Sequence, residues 1–354
     1  MNPIKTSISD RPFRHAIPLL AAILFLISPL TVAAPIEPAV EAAIEPPVAP
    51  AIAPTDAPPT DASKIERVAT IGASATAGFG TYFWRYENGE PVRDSTTLAR
   101  FLRAASDEQL VVTDLGTAQF FSNPAGIGSQ LVTRAIRSRP NLVIGIDFLF
   151  WFCYGSVGIE ARRMQTPEAR MAMLDEGLGL LDQVVEAKIP LLIGDIPDMS
   201  AAGGGILKRS QVPPEAVRLA ANERIEEWVA ARPMVEIFSL DRLQTLLASE
   251  EPIEVDGVRL EDDERARLLQ SDRLHPTLGG LSVIIAEIDR MLALHPFVGP
   301  RLPELEIGYA ENLERMTGFR SLKDQDPIDR EWWESRRTPG GDGTSGSPPD
   351  TEDR

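Results

Sequence analysis

Between residues 64 and 296 the chain alternates between two hydrophobic periods. Short aliphatic or β-branched runs at 65–71, 110–115, 142–146, 190–193 and 234–238 read as strands, separated by intervals of helix length. Those intervals carry amphipathic patterns that predict helices near 98–105, 129–137, 167–187 and 214–231, with a last one near 278–294. Short aliphatic or β-branched strands that alternate with helices predict a parallel sheet covered on both faces. The expected fold class is therefore α/β, a three-layer α/β/α sandwich with a parallel central sheet. The sequence Val255-Asp256-Gly257-Val258 adds a small hairpin with an Asp-Gly turn. No internal repeat of solenoid length is visible.

The pattern fails at both ends. Lys5, Arg11 and Arg14 precede an apolar run from about Ala16 to Leu30, followed by Thr31-Val32-Ala33-Ala34, so residues 1–34 read as a secretion signal or an uncleaved membrane anchor. Residues 35–63 are nearly all Pro, Ala, Glu, Ile and Val and predict an extended linker. The folded domain is expected over 64–296 and a C-terminal extension over 297–335. The segment 336–354, rich in Gly, Pro, Ser, Asp and Thr, predicts a disordered tail. The protein is thus expected to be exported, periplasmic or secreted, with a possible membrane tether through its N-terminal segment.

Charge and composition narrow the classes. With 52 acidic against 35 basic residues and a net charge of -17, the chain repels phosphate backbones, so nucleic acid is not an expected partner. Cys153 is the only cysteine, which excludes an internal disulfide, and its neighbours Trp151, Phe152 and Tyr154 suit a buried thiol better than a thiolate nucleophile. No Gly-x-x-x-x-Gly-Lys loop occurs, Gly203-Gly204-Gly205 does not open a strand-to-helix turn, and zinc ligation has few histidines to draw on. No cofactor or metal is expected.

Ligand sites of open α/β sheets lie beyond the carboxyl ends of the strands. Ser74, Gly116, Asp147, Asp195 and Asp198 each follow a predicted strand and so share one edge. A serine hydroxyl becomes nucleophilic only beside a base that a third group orients. The base must be a histidine, and outside the targeting segment only His275 and His295 exist. His275 has Asp272 three residues before it, a spacing that lets the carboxylate hold one ring nitrogen while the other faces outward. Two plainer readings stand beside this: Ser74 caps the helix it begins, or His275 is a surface histidine near an acid. His295, at a helix end without an acid upstream, reads as structural. Asp147, Asp195 and Asp198 offer carboxylates for glycoside cleavage, a weaker reading because that chemistry needs no Asp-x-x-His base. Tyr82-Phe83-Trp84 reads as core packing, with sugar stacking as the alternative.

With these strings in place, the segment from about Lys64 to Leu294 resembles the SGNH, or GDSL-like, hydrolases. Gly72-Ala73-Ser74-Ala75-Thr76-Ala77-Gly78-Phe79-Gly80 matches the first block with Ala73 where the family has Asp. Asp272-Arg273-Leu274-His275-Pro276-Thr277 matches the last block in full. Gly116 stands for the second-block glycine. Gly145-Ile146-Asp147-Phe148 is the weakest match, to the third block, with Asp147 in place of the oxyanion-hole Asn and Phe148 in place of the Asp that follows it. The resemblance implies a catalytic set of Ser74, His275 and Asp272 and an oxyanion hole from Ser74, Gly116 and Asp147. It implies an esterase acting on a small-molecule, glycan or lipid ester; the expected export, not the resemblance, makes an acyl or acetyl group on an envelope glycan or lipid the working expectation.

Asp147 departs from this scheme in a way that matters. An ionised carboxylate repels a developing oxyanion, where an Asn amide contributes about 3 kcal/mol. Either burial protonates Asp147 so that it donates, or it points elsewhere and leaves the amides of Ser74 and Gly116. On the first alternative Asn at 147 serves at least as well as Asp. A catalytically impaired module that binds a glycan or partner protein is the remaining alternative.

Overall fold

Five parallel strands form the central sheet of the computed structural model: β1 (Arg67–Gly72), β4 (Val111–Gly116), β5 (Leu142–Gly145), β6 (Leu191–Gly194) and β7 (Val235–Phe238), in the order β4-β1-β5-β6-β7. Between β1 and β4 lie an antiparallel hairpin of β2 (Tyr82–Glu87) and β3 (Glu90–Ser95) and helix α1 (Leu98–Ala105). The structure describes residues 64–106, 109–155, 166–248, 252–255, 258–260, 262–296, 298–302 and 309–328. The expected targeting segment 1–34, linker 35–63, tail 336–354 and Asp-Gly turn at 256–257 lie outside the described residues.

Counted along the chain, the five sheet strands run 2-1-3-4-5, the flavodoxin-like order, so the connections reverse direction beside β1. Each strand's apolar side chains divide between the faces because successive residues point opposite ways. Val68, Ile144 and Leu192 enter the core beneath α1, α6 (Leu240–Ala248) and α8 (Leu278–Leu294), while Ala69, Ile71, Val143 and Ile193 enter the other. That second core lies under α2 (Pro124–Arg137), α3 (Phe150–Tyr154), α4 (Pro167–Glu186) and α5 (Glu215–Ala230). Two faces of helix on one parallel sheet make the three-layer sandwich.

The helices begin where caps stand. Thr97, Thr166 and Thr277 accept from the third residue of α1, α4 and α8. Asn123 caps α2 with Pro124 behind it, so this helix starts five residues before the expected 129; Gly126 and Gly128 hide its first turn in the sequence pattern. A short pair β8 (Ile253–Val255) and β9 (Val258–Leu260) flanks 256–257, and the turn of helix α7 (Asp262–Arg265) leads into the loop before α8. Helix α9 (Tyr309–Thr317) belongs to the expected C-terminal extension yet sends Leu313 and Met316 into the core beneath α1 and α8. Packing therefore continues past residue 296. Two further contacts hold this segment: Gln325 Oε1 accepts from the Trp84 amide at 2.7 Å, and Arg267 meets Asp326 through two hydrogen bonds of 2.6 and 2.8 Å. Among the described residues no helix is long and apolar enough to cross a membrane.

Candidate active site

The carboxyl ends of β1, β4 and β5 place three sequence strings side by side. Gly72 pairs with Gly116 at the last rung of β1 and β4, and β5 runs out on the other side into Ile146-Asp147. The chain leaves β1 in a tight turn over 73–80, so Ser74 stands at the sheet edge instead of continuing the strand. Gly116 is required by close approach, because a Cβ there would lie 2.8 Å from the Ala77 amide nitrogen.

The Ser74 hydroxyl lies 2.9 Å from His275 Nε2, and His275 Nδ1 lies 2.7 Å from Asp272 Oδ2. The loop before α8 holds this pair by its own backbone. Asp272 Oδ1 accepts from the amides of Leu274 at 2.9 Å and His275 at 3.0 Å, and the Gln270 amide donates to the His275 carbonyl at 2.8 Å. Closing the loop this tightly puts Arg273 at φ 57°, in the left-handed region. His275 is 4% exposed and lies under the Phe79 ring, with centroids 4.8 Å apart. An ionised carboxylate only accepts, so Nδ1 carries the proton toward Asp272 and the Nε2 lone pair faces the serine hydroxyl. Burial alone would raise the Asp272 carboxyl, but the hydrogen bonds from the His275 ring and from the amides of His275 and Leu274 outweigh it and hold the group below its usual value.

Asp147 presents both oxygens to the turn over 73–80 as acceptors, the second of the two alternatives set out for it. Its Oδ1 accepts from the Ala73 amide at 2.9 Å and the Thr76 hydroxyl at 2.5 Å, and its Oδ2 from the amides of Ala75 at 2.9 Å and Thr76 at 3.2 Å. Both oxygens are thus occupied as acceptors beneath the turn that carries Ser74. Burial lifts this carboxyl above its ordinary range, opposed by those four donors. The Gly116 amide, expected as a second donor, hydrogen-bonds Asp114 Oδ1 at 3.2 Å. Of the expected donors, only the Ser74 amide has no acceptor among the described residues.

Ser74 and His275 open into a cavity of about 170 Å³ whose other walls are Phe79, Ala118, Phe121, Trp151, Ile206, Leu207, Gln211 and Leu274. The lining is almost wholly apolar. One wall is the loop 203–211, which Arg170 fastens to α3: its buried guanidinium donates to the carbonyls of Cys153 at 2.6 Å, Ser210 at 2.8 Å and Gln211 at 2.9 Å. Sequence reasoning did not assemble this cavity, since its walls come from five separate segments. The aromatic run at 148–154 was its only local signal.

The remaining candidates have structural partners. Asp195 accepts from the Asp241 amide at 2.7 Å and the Ser239 hydroxyl at 3.1 Å, and Asp198 from the Ser200 amide at 2.8 Å, so both fasten loops. His295 is buried at the end of α8, where its Nδ1 accepts from the Val298 amide at 3.2 Å. Cys153 is buried and its thiol is pushed up to about 12, chiefly by desolvation. Phe83 and Trp84 pack inward, while Tyr82 is exposed under the Arg93 guanidinium, 4.2 Å from the ring centroid. Among the described residues no three His, Cys, Asp or Glu side chains converge as a metal site requires.

No family description matches the chain, and no curated protein matches it. Among solved structures it is similar to a protein from Desulfitobacterium hafniense described as lipolytic and of the G-D-S-L family, at 15% identity over 64% of this chain and 99% of that one, with a TM-score of 0.39. The psychrotrophic esterase EstA from Pseudoalteromonas sp. matches at 13% identity over 63% and 94%, with a TM-score of 0.35. AlinE4, an SGNH-hydrolase family esterase, matches at 16% identity over 65% and 96%, with a TM-score of 0.32. At these values the functional reading rests on the chain's own geometry.

Proposed function

We propose that the protein is a serine hydrolase of the SGNH type that cleaves carboxylic esters of an apolar acyl group. The observation that carries this reading is the continuous Ser74-His275-Asp272 hydrogen-bond relay, 2.9 and 2.7 Å long, at the mouth of an apolar cavity. In this mechanism Ser74 Oγ attacks the ester carbonyl as its proton passes to His275 Nε2, and Asp272 stabilises the imidazolium that forms. The carbonyl oxygen becomes an oxyanion that the Ser74 amide meets. His275 then protonates the departing alcohol, leaving an acyl-serine. Water attacks that ester with His275 again as base, which releases the acid and restores Ser74.

The cavity supports an aliphatic or aromatic acyl group over acetyl, because acetyl leaves most of its apolar wall uncovered. A glycan or lipid of the cell envelope as the esterified alcohol, and export with a possible tether, belong to the same proposal. They are supported by the residue pattern of 1–34 alone. Matched aryl esters of acetate, butyrate and hexanoate test the reading. The native chain should turn them over with kcat/KM rising by about fourfold per added methylene until the cavity fills, from about 0.8 kcal/mol per buried CH₂. Ser74→Ala should abolish turnover, and an unchanged rate in that variant removes Ser74 as nucleophile.

One observation favours a second reading, a catalytically impaired module that binds a glycan or partner protein: Asp147 supplies no side-chain donor to the oxyanion position. Glycan binding without ester turnover from about pH 5 to 9 would establish it.

A further inference from the structure

On the serine-hydrolase reading above, we infer that Asp147 is a positioning residue: it gathers the amides of Ala73, Ala75 and Thr76 and so leaves the Ser74 amide between them as a free donor. The amides of the turn can be followed one by one. Ala73, Ala75 and Thr76 donate to the Asp147 carboxyl group, and Ala77, Gly78 and Phe79 donate to the carbonyls of Ala73, Ala75 and Ser74. Of the amides from Ala73 to Phe79, that of Ser74 alone, between two amides drawn toward Asp147, donates to none of the described residues. An oxyanion forming on a carbonyl attacked by Ser74 Oγ arises beside that amide.

The surroundings are shaped for a carboxyl group. Asp147 and Thr76 are buried, and a Cβ on Gly72 would fall 2.1 Å from Asp147 Oδ1 and 2.4 Å from Thr76 Oγ1. Four donors, two on each oxygen, call for acceptors at both positions. An Asn side chain has one, so its NH₂ must face either the Ala73 amide or the pair from Ala75 and Thr76. A negative charge behind the turn opposes an oxyanion in front of it. Four converging donors and the raised proton affinity of the buried group reduce that opposition, and a proton on Oδ1 can be directed at Thr76 Oγ1 without displacing any amide. The expectation that Asn serves at least as well at this position is therefore reversed.

The test separates oxyanion placement from folding and from ligand binding. An alkylboronic acid forms a tetrahedral adduct with a serine hydroxyl and sets a negative oxygen where the oxyanion lies. The corresponding aliphatic alcohol occupies only the apolar cavity. In Asp147→Asn, kcat for an aryl butyrate should fall about 10- to 100-fold, at or below the loss caused by removing a whole oxyanion donor. Boronate affinity should fall by a similar factor, with KM and alcohol affinity held within about threefold. Thr76→Val removes one donor at nearly constant volume and should show the same split at about three- to tenfold, which keeps the test open if Asp147→Asn does not fold. Native kcat and boronate affinity in a folded variant overturn the inference. So does a loss shared equally by boronate, KM and alcohol, which marks a merely structural role. If the native chain binds no boronate, the hydrolase reading itself fails.

Discussion

Asp272→Asn isolates the electrostatic half of the relay, because the two side chains are nearly isosteric. In the native loop, Asp272 Oδ1 accepts from two backbone amides at 2.9 and 3.0 Å while Oδ2 accepts from His275 Nδ1 at 2.7 Å. Asn keeps the backbone bonds only by turning its oxygen to them, which sets its NH₂ against Nδ1. The opposite rotamer directs NH₂ at two amide donors and loses both bonds. The first arrangement prevails, and in it Nδ1 must accept, so the ring proton moves to Nε2 and points at Ser74. His275 can then no longer take the serine proton. An Asp-to-Asn change in a well-studied serine protease triad costs about 10⁴ in kcat by this route, or about 5.5 kcal/mol of barrier, and a comparable loss is expected here. Stability should fall less, by about 1–3 kcal/mol for the lost charged acceptor. The folded Asp272 carboxyl lies below its unfolded value, so its contribution to stability is present above about pH 4 and fades as pH falls through the lower folded value. The melting-temperature gap between native protein and variant should therefore narrow below about pH 4. Steady-state hydrolysis of an aryl butyrate, with circular-dichroism melts across pH, measures both effects. A folded variant that retains activity within tenfold of native would refute the tautomer argument.

Three other perturbations address separate parts of the account. Ile206, 46% exposed at the cavity rim, tolerates Ile206→Asp within about 0.5 kcal/mol of stability, and kcat/KM for aryl hexanoate should fall at least about tenfold while aryl acetate is nearly unaffected. His295→Asn keeps an acceptor toward the Val298 amide and should leave turnover unchanged. Burial lowers the His295 pKa from 6.5, so the unfolded chain binds its proton first and native stability falls as pH drops below about 6.5; thermal melts should show part of that slope missing in the variant. Cys153, with its thiol pushed up to about 12, should resist iodoacetamide at pH 8 in the folded protein and react once urea unfolds it, as mass spectrometry of the labelled chain can check.

The sheet was readable because its inner strands β1, β5 and β6 are apolar runs buried on both faces, which leaves a signal that needs no partner. Helices with Thr or Asn caps and aliphatic stripes were readable for the same local reason. Hairpin β2–β3 was not expected, although Asn88-Gly89, both at positive φ, is a local turn signal for it. Helix α3 is only five residues long and apolar all round, so it carries no helical stripe. Helix α9 follows a segment without periodicity, and its place in the core depends on α1 and α8. The relay strings stood out because serine chemistry needs few residue types and histidine is scarce. The partners of Asp147 did not, because a carboxylate beside a nucleophile turn can accept from it or face the substrate, and only three-dimensional placement decides.

The most direct measurement is site-resolved labelling with a fluorophosphonate, which reports an activated serine without knowledge of the substrate. After exposure at neutral pH, peptide mass spectrometry of the native chain should find the adduct on Ser74, with labelling lost in Ser74→Ala and reduced by orders of magnitude in His275→Ala. A native chain that stays unlabelled from about pH 5 to 9, or that carries the adduct on another residue, would contradict the account.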